Sequence, residues 1–231
     1  MALDKDKFVA AQRTSGAEWV QSVPLLWSLV SDEPFTFDKL GPYYKYDPAA
    51  AKKLLIEAGF ADGKVSVATT LLFAVPSHTA RATVVQTLWK SEGISLEIQA
   101  SDFATYSPYY YLRSHQDVTL AFQNTGDFSL NWYAQNKFSA NANQNSAYIN
   151  DSEIEKAVKA IKTTTDAAQL RQFARQLWDF DTLGAWNIWL PAERSYAVVA
   201  PRVRNYTVRA GNTYTGGAII PWLTDAPRTS P

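Results

Sequence analysis

Two histidines, His78 and His115, are the only imidazoles in the chain, and it contains no cysteine. Thiolate nucleophiles, disulfides and thiolate metal centres are therefore excluded. Neither histidine stands beside a nucleophile motif. Both read as surface residues, so nickel or haem ligation is not indicated and no metal site is expected. No G-x-S-x-G, H-E-x-x-H, G-x-x-x-x-G-K-[ST] or G-x-G-x-x-G occurs, which removes the usual arrangements for acyl transfer, zinc hydrolysis and phosphate cradling. The 22 acidic residues always supply some carboxylate pair for glycoside hydrolysis, and that carries no specificity. The polar side chains best placed for contact lie in one stretch, QNTGDFSLNWYAQNKFSANANQNSAYIN (123–150). It is too polar for a core and too long for a simple connection, and such passages are either functional or mobile.

The elements that must hold this stretch are legible on both sides. YDPAAAKKLLIEAGFADG (46–63) is a helix with marked ends: Asp47 caps, Pro48 fits the first turn, and Gly59 supplies the left-handed stop. Its apolar face would be Ala51, Leu54, Leu55 and Ala58. KVSVATTLLF (64–73) alternates as a strand, HTARATVVQTLWKSEG (78–93) is helical with Gly93 as its stop, and ISLEI (94–98) is a second strand. DFATYSPYYYLRS (102–114) is a weaker helix, broken or restarted at Pro108, and DVTLAF (117–122) a third strand. After the polar stretch one helix starts at Asn150, with Glu153 completing a capping box and Ile154, Val158 and Ile161 inward. Another starts at Asp166 and packs through Leu170, Phe173, Leu177 and Phe180. AWNIWL and RSYAVVA read as closing strands joined around Pro191. Alternating β and α elements predict an α/β layer structure with a mixed sheet flanked by helices.

At 231 residues with Lys+Arg and Asp+Glu balanced at 22 each, the chain lacks the basic excess that nucleic acid or an anionic membrane surface demands. No run approaches a membrane span, and MALDKDKFVAAQ shows no export signal. Eight Trp, twelve Tyr and eleven Phe serve either a large aromatic core or the walls of a ligand site. The first and last thirty residues show little periodicity. They carry Trp19, Trp27, Ile220 and Trp222, and read as segments that lie against something else.

LDKDKFV, VPLLW, the 46–63 passage, LWKSEGISLEI, VTLAF with the polar loop, and INDSEIEKAVKAI follow one another in an order that resembles a known family. It is the family 5 extracellular solute-binding proteins of peptide, nickel and opine ABC importers. The Y-D-P-x-x-A-x-x-L-L-x-x-A-G-[FY]-x-D-G spacing is the most specific match, and the likeness runs from about residue 3 to about residue 205. The resemblance implies the second lobe of a type II (cluster C) periplasmic-binding-protein-like fold. Residues 1–205 would form that lobe, and 206–231 would return toward a first lobe that is missing here. It further implies non-catalytic capture of a small solute in an interlobe cleft, with hinge closure and delivery to a membrane permease. The location would be periplasmic or extracellular, with no cofactor. The alternatives left open are a lobe of a carbohydrate-active enzyme and an interaction scaffold that has lost its ligand.

The resemblance also implies contact residues. The loop after VTLAF faces the cleft in this family, so Phe122, Asn124, Thr125, Asp127, Asn131 and Trp132 are candidates, with Trp27 in a segment that approaches the cleft. Tyr133 and Trp132 can equally pin the loop to the core. In peptide-binding members an acidic side chain neutralises the ligand ammonium group. Laid on without gaps that position is Thr125, which cannot do so, whereas Asp127 could if the loop shifts. Phe128-Ser129-Leu130 replaces the family's Asp-Pro-Asp. Amides beside aromatic rings would suit opines or sugar-like solutes as well as peptides. Trp19, Ile220 and Trp222 are candidates for an apolar rim against the missing lobe.

Overall fold

The structure, a computed structural model, describes residues 1–12, 19–20, 25–112, 114–115, 117–119, 129–193, 200, 203–204 and 222–223. Its helices are α1 (Lys5–Gln12), α2 (Leu25–Val30), α3 (Pro48–Glu57), α4 (Pro76–Ser91), α5 (Phe103–Tyr111), α6 (Leu130–Phe138), α7 (Ser152–Thr163) and α8 (Ala167–Gly184). Its strands are β1 (Trp19–Val20), β2 (Val65–Leu72), β3 (Ile94–Ser101), β4 (Val118–Thr119), β5 (Ala192–Glu193), β6 (Val203–Arg204) and β7 (Trp222–Leu223).

Three strands form a parallel sheet in the order β3-β2-β4. β2 pairs with β3 from Val65↔Ile94 to Leu72↔Ser101, and with β4 at Thr69↔Val118 and Thr70↔Thr119. The α/β class expected from the alternation holds, with helices flanking a parallel sheet. Among the described residues, antiparallel pairing is confined to the two-residue ladders β1–β5 and β6–β7. The chain leaves β2 through α4 to β3 on one side, then crosses by α5 to β4 on the other. The direction of winding therefore reverses between β2 and β4, which in open α/β sheets opens a crevice beyond the strand ends.

One core lies between α4, α1 and the sheet. Val85, Trp89, Leu96, Leu3 and Phe8 are buried together there, so the first residues, expected to lie against something outside the chain, pack on α4 instead. The larger core lies among α2, α6, α7, α8 and the two short 3-10 turns at Phe37–Leu40 and Pro42–Tyr44. α7 contributes Ile154, Val158 and Ile161, as the spacing predicts, and α8 contributes Ala174, Leu177 and Trp178. Each of the larger side chains removed from water is worth roughly 1.5–3 kcal/mol, which is what holds these amphipathic helices.

Several local expectations are corrected. α7 is capped by Asp151, whose carboxylate accepts from the Glu153 and Ile154 amides, rather than by Asn150. α5 runs through Pro108 without a break, since one missing donor near the middle of a packed nine-residue helix removes a single bond. The polar stretch contains α6, capped by Ser129 Oγ at 3.2 Å from the Trp132 amide. Beyond it, the buried Asn145 side chain donates to the Ser139 and Ile149 carbonyls and accepts from the Ile149 amide. AWNIWL is no strand: residues 186–191 form an irregular strap, and pairing is seen only from β5 on. α3 has the expected cap, with Asp47 Oδ1 accepting from Ala50 N at 2.9 Å, and the expected stop at Gly59, φ +98°. Its apolar face is not buried, however, and Leu54 remains 42 % exposed.

Candidate functional site

The strand ends beyond which such a crevice is expected are those of β2 and β4. Asp117 Oδ2 accepts from the Ala68 amide at 2.8 Å and Thr119 Oγ1 donates to the Thr70 carbonyl at 3.3 Å, which fixes where β4 enters beside β2. Beyond β2 and β3 two rings stand in solvent, Phe73 at 57 % and Phe103 at 58 % exposure. Asp102 caps α5 by accepting from the Thr105 amide at 2.8 Å. The chain leaves this edge after Thr119 and returns at Ser129.

The expected contact residues divide across this point. Phe122, Asn124, Thr125 and Asp127 lie outside the described residues. Asn131 is exposed at the first turn of α6, and its side-chain oxygen accepts from Gln135 Nε2 at 2.5 Å. Trp132 follows it, half-buried against the helical core. Tyr133 is buried, and burial pushes its hydroxyl pKa up. Trp27 is in the helical core at 7 % exposure, with its indole donating to the Glu33 carbonyl at 2.9 Å and its ring 5.3 Å from Trp178. Asn131 and Trp132 therefore share the start of α6, whereas Trp27 is packed inside the helical layer. The side chain of Trp19 and all of Ile220 lie outside what is described, as does the Trp222 side chain.

Sequence reasoning missed a second concavity. A partly open cleft of about 800 Å³ separates the sheet and α4 from α6, the 144–149 turn and the 186–191 strap. His78, read from the sequence as a surface residue, is only 3 % exposed and lines it. Burial and then the nearby Arg81 push its pKa down to about 4, so the ring is neutral at pH 7. His115 is half-buried, stacks obliquely on Tyr148 at 5.3 Å, and has Nδ1 3.0 Å from the Tyr109 carbonyl. Lys137 of α6 donates to the Tyr110 hydroxyl at 3.1 Å, and burial pushes its pKa down to about 8. No sequence pattern marks these side chains, because they come from separate elements, with Lys137 and Tyr110 lying 27 residues apart.

Asp181, 1 % exposed on α8, ties down the strap that closes the cleft. Asn187 Nδ2 donates to its Oδ1 at 2.6 Å, and the Tyr44 hydroxyl donates to the Asn187 carbonyl. Burial raises the Asp181 pKa to about 6, held back by the hydrogen bond from Asn187 and by the nearby Trp189 indole. Among the described residues no group of three or more His, Asp or Glu side chains could hold a metal, and no helix is long and apolar enough to cross a membrane.

Residues 1–159 match the family described as bacterial extracellular solute-binding proteins, family 5 Middle. No curated protein matches the sequence. Among solved structures, HbpA2 of Haemophilus parasuis aligns with TM-score 0.68 at 18 % identity, over 88 % of this chain and 40 % of that one. NikA of Staphylococcus aureus, in complex with Ni(L-His)2, aligns with TM-score 0.65 at 17 % identity, over 90 % of this chain and 43 % of that one. The mannohexaose-bound periplasmic oligopeptide-binding protein of Thermotoga maritima aligns with TM-score 0.60 at 18 % identity, over 82 % of this chain and 39 % of that one. These likenesses establish the fold, that of a type II periplasmic binding protein. The chain spans about two fifths of the length of these structures.

Proposed function

Because the chain belongs to the family 5 bacterial extracellular solute-binding proteins, we propose that it forms one side of a non-catalytic solute clamp serving an ABC importer. The solute binds beyond the C-terminal ends of β2 and β4, and a second lobe closes over it by a hinge motion. Closure presents the solute to a permease on the outer side of the cytoplasmic membrane, in a periplasm or at the cell surface.

The observation that carries this reading is the reversal of strand order between β2 and β4, and Phe122, Asn124, Thr125 and Asp127 follow β4 directly in sequence. Two exposed rings, Phe73 just after β2 and Phe103 just after the neighbouring β3, give a solute apolar surface to lie on. Asn131 and Trp132, at the start of α6, add an amide and an indole where the loop returns. The ligand class is a small polar solute: a peptide, an opine or a sugar-like molecule. The solved relatives hold unlike cargoes, a nickel–histidine complex in one and mannohexaose in another, so the fold does not select among these. A peptide ammonium group would need Asp127 as its partner, because Thr125 carries no charge and an unpaired buried charge costs several kcal/mol.

Native mass spectrometry of the gently purified two-lobe protein should reveal a co-purifying small solute. Calorimetry with that solute should then give much weaker binding to this chain alone, since half the contacts are absent. Asp127→Asn should weaken a solute that bears an ammonium group by at least about tenfold. Equal affinity of the single lobe and the two-lobe protein would refute capture between lobes.

A further inference from the structure

The strap along the second cleft pairs with no strand over residues 186–191, and its fastening is concentrated at one point. We propose that residues 186–188 are a gate on that cleft, latched at Asn187 by the buried Asp181, and that a proton on Asp181 holds the gate shut. The inference stands whether or not the strand-end edge captures a transported solute.

The first observation is how little holds the segment. Residues 186–191 all line the cleft, but they divide in two. Trp189 packs against the helical core, Leu190 against the sheet core, and Pro191 is fully buried. Trp186, Asn187 and Ile188 are exposed, with Trp186 resting on Phe180 at 5.8 Å between ring centres. Among the described residues no backbone–backbone hydrogen bond engages residues 187–190. The bonds that fasten the segment meet on Asn187: its Nδ2 donates to Asp181 Oδ1 at 2.6 Å, and its carbonyl accepts from the Tyr44 hydroxyl. The near end of the gate turns at Ala185, in left-handed backbone at φ +49°, which an L side chain adopts only at a cost. A short exposed segment fastened at one residue can lift while the layers beneath it stay folded.

The second observation is that the latch is dry and half-used. Asp181 is 1 % exposed, and its Oδ2 has no hydrogen-bond partner. The indole Nε1 of the nearby Trp189 is buried without a partner too. Among the described residues no cation forms an ion pair with Asp181. The ionisable groups coupled to it are Tyr44 of the 3-10 turn and Tyr133 of α6, both pushed up by burial and neutral. A covered carboxylate in this setting lacks the solvation that a lifted gate gives back, whereas a protonated one loses little by being covered. Burial accordingly holds the Asp181 pKa at about 6 beneath the gate, against an ordinary 3.8 in water. The shut form therefore binds the proton more tightly. Lowering the pH through about 6 tightens the latch, and raising it eases the gate open.

The test follows exchange of tryptophan indole N–H protons by NMR, in this chain and in Asp181→Asn, which cannot ionise. Trp189 reports the latch, and Trp27, buried in the helical core and bonded to the Glu33 carbonyl, reports opening of that core. Trp189 should exchange at least about tenfold faster than Trp27 in the unmodified chain, the mark of a local opening. The rate for Trp189 in the unmodified chain divided by that in Asp181→Asn should rise at least about tenfold from about pH 4.5 to about pH 7.5. His78, His115, Asp117, Lys137 and Arg81, which also line the cleft, are common to both chains, so their effects cancel in that ratio. Asn187→Ala, at an exposed position, should speed Trp189 exchange at least about tenfold at about pH 7.5, since it removes a hydrogen bond to a charged group. Trp189 exchanging no faster than Trp27 would overturn the gate. A ratio that stays level with pH would overturn the role of the proton, and an unchanged rate in Asn187→Ala would overturn the latch even if Asp181→Asn failed to fold.

Discussion

His78 and Asp181 pull the pH dependence of stability in opposite directions over nearly the same interval. The folded state holds His78 well below its ordinary 6.5, at about 4, so between those values the unfolded chain binds more protons and stability rises with pH. It holds Asp181 above its ordinary 3.8, at about 6, so there the folded chain binds more protons and stability falls with pH. Each effect amounts to about 3 kcal/mol at full extent, and they offset one another. Tyr44 and Tyr133, the titratable neighbours of Asp181, are pushed up and stay neutral throughout. Urea unfolding of the unmodified chain should therefore vary little between pH 4 and 6.5 on account of this pair. Asp181→Asn should leave a stability that climbs with pH, and His78→Gln one that declines. Parallel pH profiles for the two variants would show that these groups are not held as described.

Helix ends and helix faces obey different rules at the scale of the element, and α3 separates them. Its cap is local: Asp47→Ala should cost about 1 kcal/mol, whatever packs nearby. Its face is not, because Leu54 and Ile56 stay largely exposed. Leu54→Ala should therefore cost well under 1 kcal/mol, whereas Leu177→Ala, fully buried in α8, should cost about 2–5 kcal/mol. Denaturant midpoints of the three variants give the comparison, and a Leu54→Ala loss equal to that of Leu177→Ala would contradict the exposure of the α3 face. α6 shows the converse case. Its outer residues are polar, yet Tyr133, Ala134 and Phe138 bury a face against α7 and α8, and that contact makes a helix from a stretch that reads as a loop.

For the molecule as a whole, Phe73 and Phe103 stand beyond the sheet at the edge assigned to solute capture. Phe73→Ser and Phe103→Ser should change unfolding free energy by no more than about 0.5 kcal/mol, as surface replacements do. In the two-lobe protein they should weaken solute binding measured by calorimetry, and unchanged binding would move the capture edge elsewhere. Caps, stops and apolar spacing were readable without a structure, since Asp47, Gly59, Gly93, Ile154, Val158 and Ile161 act through neighbours within a turn or two. The family's order of elements was readable for the same reason. Residues 186–191 misled because apolar alternation describes a strand only if another strand is there to bond it. Here the Asp181 carboxylate of α8 and the Tyr44 hydroxyl hold Asn187 instead, and a strap results. His78 misled because burial depends on what the fold lays over a residue. What the sequence determined was thus α3, α4, α7, α8 and the strands of the parallel sheet, in order and with most of their ends, all governed by contacts close along the chain. The tertiary structure alone decided which faces are covered, that the sheet reverses at β4, and that Lys137, His78 and Asp181 lose their water, because those outcomes depend on surfaces brought together from distant parts of the chain.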